Sequence, residues 1–119
     1  QAEQFSFYRI PKALFTEPNF RELSTDAKVL YGILLDRMSL SLKNQWLDAQ
    51  NKVYIIFTVE EIMDALNCAN QKATRLMVEL EKQAGLIERK RQGLGRPNLI
   101  YVKNFAATIN DKSCEKGDS

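Results

Sequence analysis

The longest periodic pattern in the chain runs from residue 25 to about residue 42. Ala27, Leu30, Tyr31, Leu34, Leu35 and Met38 recur at steps of three and four, which places them on one face of an α-helix. Ser24-Thr25-Asp26 stands directly ahead and offers side-chain oxygens to the unpaired N–H groups of a first helical turn. The pattern predicts a long helix at the centre of the core. Gly32 falls inside it, where glycine costs about 1 kcal/mol against alanine, so it marks close packing against another element. Ahead of this helix, FSFYRI (5–10) alternates and predicts a short strand that Pro11 ends, and KALF (12–15) offers one helical turn before Pro18.

Beyond the long helix, Trp46-Leu47 and Val53 to Phe57 are β-prone runs separated by Asp48-Ala49-Gln50-Asn51. They predict a hairpin, with Asn51 suited to a left-handed conformation. Thr58 and Glu61 have the spacing of a capping box and open a helix through Ile62, Met63 and Leu66. Asn67-Cys68-Ala69-Asn70 is a short turn, with Asn70 placed to cap a second helix from Gln71 to about Gln83. Ala73, Leu76, Met77, Leu80 and Ala84 form its apolar stripe, and Gly85 stops it. Residues 86–91 and 99–103 predict two strands around a turn-rich basic segment, 92–98. The predicted fold is α+β: a winged helix-turn-helix with an N-terminal strand or hairpin and a C-terminal β-wing. It occupies residues 1–107, and the patternless polar stretch 108–119 reads as a disordered tail or the start of a linker.

Composition narrows the function. The 119 residues suit one domain, and no apolar run approaches the ~20 residues that span a bilayer. No signal-peptide pattern opens the chain, so a cytoplasmic protein is expected. The chain starts at Gln rather than Met, and is expected to be a piece of something longer. With no histidine, the Ser-His-Asp and Cys-His pairs and imidazole metal sites are excluded. The adjacent Glu60 and Glu61 point about 100° apart on a helix and read as an acidic first turn. Cys68 and Cys114 lie far apart and read as free thiols in a reducing compartment, with Cys68 near a helix start. The expectation is a binding protein without catalytic residues, metal or cofactor.

Charge distribution points to the partner. Cys68 to Lys103 holds eight basic residues against three acidic ones, while the rest holds nine against twelve. Such separation suggests a basic face for a polyanion, double-stranded DNA above all. A helix in the major groove buries its stripe and offers donors outward from its first turns. Here those are Asn70, Gln71, Lys72, Thr74 and Arg75; glutamine suits adenine and arginine suits guanine. In the wing, Arg89, Lys90, Arg91 and Arg96 have no acid among them, and alternation puts Arg89 and Arg91 on one face. Gly95, with Gly93, lets the backbone approach a phosphate, and Asn98 follows Pro97 at the exit. A transcriptional regulator of the same architecture, or a winged helix that binds protein and not DNA, remains open on these grounds.

Certain stretches carry a more specific signal. FYRIPKALF (7–15), LSTDAKVLYGILLDRMSLS (23–41), KNQWLDAQNKVYIIFTVEEI (43–62) and GRPNLIYVKNF (95–105) resemble the N-terminal domain of RepA-type replication initiators of Gram-positive plasmids and mobile elements. The resemblance implies a winged-helix domain that recognises repeated sequences at a replication origin, usually as a homodimer. It also implies a separate C-terminal region, absent here, that engages host replication proteins. Under it, Phe5, Phe7, Tyr8, Trp46 and Tyr54 are candidates for a dimer interface, and core packing explains most of them equally well. The bases read are not implied by the resemblance; Gln71 and Arg75 rest on helical geometry.

Overall fold

The structure is a computed structural model in which residues 7–106 are described. Phe5 of the expected first strand, Cys114 and the expected tail over 108–119 lie outside them. The described elements are helices α1 (Ala13–Thr16), α2 (Thr25–Lys43), α3 (Val59–Leu66) and α4 (Asn70–Val78), a π-helical turn (Glu79–Gln83), and strands β1 (Ile87–Lys90) and β2 (Leu99–Val102). The strands form one antiparallel hairpin in which Ile87 faces Val102 and Lys90 faces Leu99. No helix among the described residues is long and apolar enough to cross a membrane.

Helix α2 forms where the periodicity predicts it. Ser24 adopts an extended N-cap conformation, and its Oγ accepts from the Ala27 N–H at 3.2 Å. Burial exceeds one stripe: Ala27, Lys28, Leu30, Tyr31, Gly32, Ile33 and Leu34 are all buried. The Lys28 ammonium lies over the Phe15 ring, Nζ 4.5 Å from the centroid. At Gly32, an added Cβ would stand 2.8 Å from Ile10 Cγ1 and 3.1 Å from the Arg9 carbonyl oxygen. The chain before α1 therefore crosses α2 at the one residue without a side chain.

That crossing corrects the expected N-terminal strand. Residues 7–10 have no regular structure. They lie against a helix, whose backbone groups are already bonded internally and offer no ladder to a strand. The Trp46 hairpin is also less than expected. Leu47 and Val53 make a single isolated bridge around a turn closed by Asp48, which accepts from the N–H groups of Gln50 (2.8 Å) and Lys52 (2.9 Å). Asn51 is left-handed as expected, at φ 65°. The returning arm then leaves its partner, and Ile55 exchanges two 2.9 Å backbone bonds with Ile100 of β2. Ile55 and Phe57 on this arm are both buried in the core.

Thr58 and Glu61 close a reciprocal capping box at the start of α3. Asn67 ends that helix at φ 53°. The second helix departs from expectation at both ends. Ala69 is its N-cap, and Asn70, expected as the cap, is already the first helical residue. Past Val78 the α-helix passes into the π turn, where the Ala84 N–H reaches back to the Glu79 carbonyl at 3.0 Å. The stripe holds nonetheless: Ala73, Leu76, Met77 and Leu80 are buried. Cys68 sits half-buried against the core, two residues before α4.

Tyr31 ties α2 to the end of β2, its hydroxyl donating to the Lys103 carbonyl at 2.6 Å. Burial pushes this hydroxyl's pKa up to about 12 from 10.0, the Phe105 backbone opposing only in part. A raised folded-state pKa means that the stabilisation is complete below the unfolded value and is lost as pH rises. Unfolding free energy is therefore expected to fall between pH 10 and about 12, by roughly 2–3 kcal/mol from this group. Tyr31→Phe should flatten that decline in urea unfolding curves, and parallel curves for both proteins would refute the assignment. Gly32→Ala should destabilise by about 1–3 kcal/mol despite alanine's helix preference, because the new methyl would displace the Ile10 side chain and crowd the Arg9 carbonyl behind it. A midpoint equal to or above the parent's would show that the crossing yields.

Candidate nucleic-acid interface

Helix α4 presents Gln71, Thr74, Arg75 and Val78 to solvent, with Lys82 exposed in the following turn. This face lies opposite the buried stripe because outward positions recur at the same three- and four-residue steps. Lys72 is not part of it. Its ammonium pairs with Asp26 in the first turn of α2. Asn70 is exposed at the start of the helix, and the first turn has no side-chain cap.

Two glutamates brace the far end of α4, one on each flank. Glu79 Oε1 accepts from the Ser24 backbone N–H at 2.9 Å, and its Oε2 accepts from Ser24 Oγ at 3.0 Å. Glu81 Oε1 accepts from Arg89 Nε at 3.0 Å and Nη2 at 2.6 Å. The Arg89 bonds hold the Glu81 carboxyl below the ordinary glutamate range, against its partial desolvation. Together with Lys72–Asp26, these contacts fix α4 to α2 on one side and to β1 on the other.

The Arg89 contact corrects an expectation. Alternation along β1 puts Arg89 on the side of buried Ile87, where its guanidinium needs a carboxylate and finds Glu81. Arg91 lies beyond the strand end and is exposed, so the two arginines do not form one free cationic face. Lys90, Arg91, Gly95, Arg96 and Asn98 are exposed on the hairpin and its loop. The loop closes on itself: Gln92 Nε2 donates to the Pro97 carbonyl at 2.8 Å, and the Arg96 N–H to the Gly93 carbonyl at 3.3 Å.

Helix and loop meet at one place. Asn70 and Met77 of α4, Arg89 of β1, and Arg96 and Asn98 of the loop line a cleft of about 420 Å³, in which Glu60 of α3 is the one carboxylate. The uncapped start of α4 thus faces the returning limb of the basic loop. Backbone N–H groups at a helix start together with a guanidinium favour an anionic oxygen. Sequence reasoning put Glu79 on the outward face without a partner, and did not single out Glu81, Val78 or Leu94. Val78 was detectable as an apolar residue at a position that helical periodicity assigns to solvent, and Leu94 as an apolar residue inside a polar turn.

The aromatic residues considered for a dimer face occupy two places. Phe7 borders a hollow with Gly32, Leu35 and Ser39 at the middle of α2 and is 76% exposed. Trp46, exposed, stacks on half-buried Tyr54 with ring centroids 6.3 Å apart. Tyr8 is exposed.

Comparison with known proteins places this geometry in a family. Residues 6–116 match the model of the replication initiator protein A (RepA) N-terminus. A 41 kDa protein of Lactobacillus helveticus is 32% identical over 103 residues, covering 87% of this chain. The chain spans 28% of that relative's length. Among solved structures, one described as the N-terminal domain of a DNA binding protein superposes with a TM-score of 0.75 at 36% identity, covering 94% of this chain and 89% of the other. A Rep–DNA complex gives a TM-score of 0.75 at 36% identity, covering 94% and 90%. An MDR initiator gives 0.71 at 39% identity, covering 94% and 93%. The chain belongs to the RepA replication initiator family and corresponds to its N-terminal domain.

Proposed function

We propose that this chain is a winged helix-turn-helix that binds double-stranded DNA at repeated sequences of a replication origin. In this reading α4 enters the major groove, and the 91–98 loop is the wing, on the backbone or in the minor groove. The observation that carries it is the shared cleft, where the uncapped start of α4 meets Arg96 and Asn98 of the loop. A phosphate there would satisfy orphan N–H groups and meet a guanidinium at once. Similarity to a structure solved as a Rep–DNA complex supports the same partner.

Roles follow from position. Gln71 and Arg75 face outward from the first turns and read base edges; Thr74 and Asn70 flank them. Lys90, Arg91, Arg96, Gly95 and Asn98 contact the backbone, which sets register and not sequence. Lys72 and Arg89 act through Asp26 and Glu81 and position the helix rather than touch DNA. The reading assigns no catalytic residue. Residues 1–107 make up the binding domain, with a tail or linker from 108. The protein acts in the cytoplasm as a homodimer, with the exposed aromatics Phe7, Tyr8 and Trp46 as its contact, and a further C-terminal region engages host replication proteins. The 28% share of the longer relative supports such a region.

The test is binding of this chain to a duplex carrying the origin repeats and to a scrambled duplex, each across a salt series. Tight binding to the repeat alone, weakening steeply with salt, is expected; equal weak binding to both would defeat the proposal. Arg75→Ala should cost about 1–3 kcal/mol on the repeat and little on scrambled DNA, and a uniform loss would make Arg75 a phosphate contact. Arg91→Ala or Arg96→Ala should weaken both duplexes and lower the salt slope by about one. Arg89→Ala should instead lower the melting temperature by freeing Glu81. A melting temperature matching the parent's would return Arg89 to the contact surface.

A further inference from the structure

The tip of the basic loop carries a residue that the charge argument does not use. Leu94 is as exposed as a residue can be, at 104% of its reference area. It stands between Gly93 and Gly95, at φ 124° and 76°, and a Cβ on either glycine would meet nothing within 4 Å. The two bonds that close the loop lie behind it, so the tip projects as a formed unit and not as loose chain. Arg91 and Arg96 flank the tip, and no acid lies between Arg89 and Asn98.

We infer that Leu94 is an apolar probe of the DNA minor groove, held there by Arg91 and Arg96 on the bordering phosphates. The inference rests on the DNA-binding reading above and goes beyond it in assigning groove, residue and preference. Geometry supports the groove: with a glycine on each side, the Leu94 side chain stands clear of its neighbours and can enter a groove about 6 Å wide ahead of the backbone. Charge supports it as well, since Arg91 and Arg96 stand on either side of Leu94, where each can meet a phosphate that borders the groove. Chemistry supplies the preference. Guanine places its N2 amino group on the groove floor, whereas A·T pairs present only acceptors and leave room for an apolar side chain. Apolar side chains inserted from the minor groove are a known means of gripping and bending a duplex. The wing thus reads A·T against G·C at positions that α4 does not touch.

The experiment uses the whole chain and duplexes that it recovers from a random-sequence pool. In these, each adenine is replaced in turn by 2,6-diaminopurine, which adds the minor-groove amino group and leaves the major-groove edge unchanged. The parent is expected to lose affinity roughly tenfold at the step beneath the wing, the magnitude of one buried leucine contact. Leu94→Ala should bind the unmodified duplex about tenfold more weakly, be indifferent to diaminopurine there, and keep the parent's salt slope. Leu94→Met should retain both affinity and diaminopurine sensitivity. The unfolding midpoints of both variants should match the parent's, because no contact is lost.

Equal diaminopurine profiles for parent and Leu94→Ala would overturn the inference while leaving specific DNA binding intact. A pool from which no sequence is enriched would defeat the DNA reading itself, and this inference with it. Capture of the parent but not Leu94→Ala by phosphatidylglycerol vesicles, with DNA binding unaltered, would assign the tip to a lipid surface and overturn it too.

Discussion

Between Ala27 and Leu34, helix α2 is buried on nearly every side, with only Val29 partly exposed. A helix apolar around its circumference cannot rest against one neighbour; it must be enclosed. The remaining elements are arranged by that requirement. The segment before α1 covers it at Gly32, Phe15 lies beneath Lys28, and β2 is tied on through Tyr31. At its N-terminal end Ser24 and Asp26 receive α4. The candidate DNA-binding helix therefore takes its position from the start of the most deeply buried element.

Elements whose information is local were legible in the sequence. The α2 period, the Thr58–Glu61 box, the buried stripe of α4 and the two C-terminal strands each depend on neighbours within a few residues, and each appears where expected. Features set by distant partners were not legible. Nothing near FYRI reveals that it will lie on a helix, and nothing near Ile55 reveals that Ile100 will take it from its hairpin. The cap of α4 fell one residue earlier than the asparagine suggested because Ala69 already holds the extended conformation that an N-cap requires.

The same division runs through the site. Helical geometry placed Gln71, Thr74 and Arg75 outward, where the structure has them exposed. It also placed Lys72 outward, but the partner that claims it, Asp26, lies far away in sequence. The pairing of Arg89 with Glu81 went unseen for a different reason. Counting basic residues treats every cation as available, whereas strand alternation had already put Arg89 on the side of Ile87. Charge composition located the basic region correctly and could not say which of its members were already paired.

The two glutamate braces have a consequence for how such a domain diversifies. Glu79 on one flank and Glu81 on the other oppose rotation of α4 about its axis, the motion that would present a different set of side chains. Under the proposed DNA-binding reading, a change of target by tilting this helix works against both contacts. Adaptation by exchange of residues is open, because Gln71, Thr74, Arg75 and Val78 face solvent and support nothing beneath them. Under the proposed reading recognition is modular: exchange of a few outward side chains changes what α4 offers and leaves its mount untouched, so a specificity grafted there should transfer without refolding the protein.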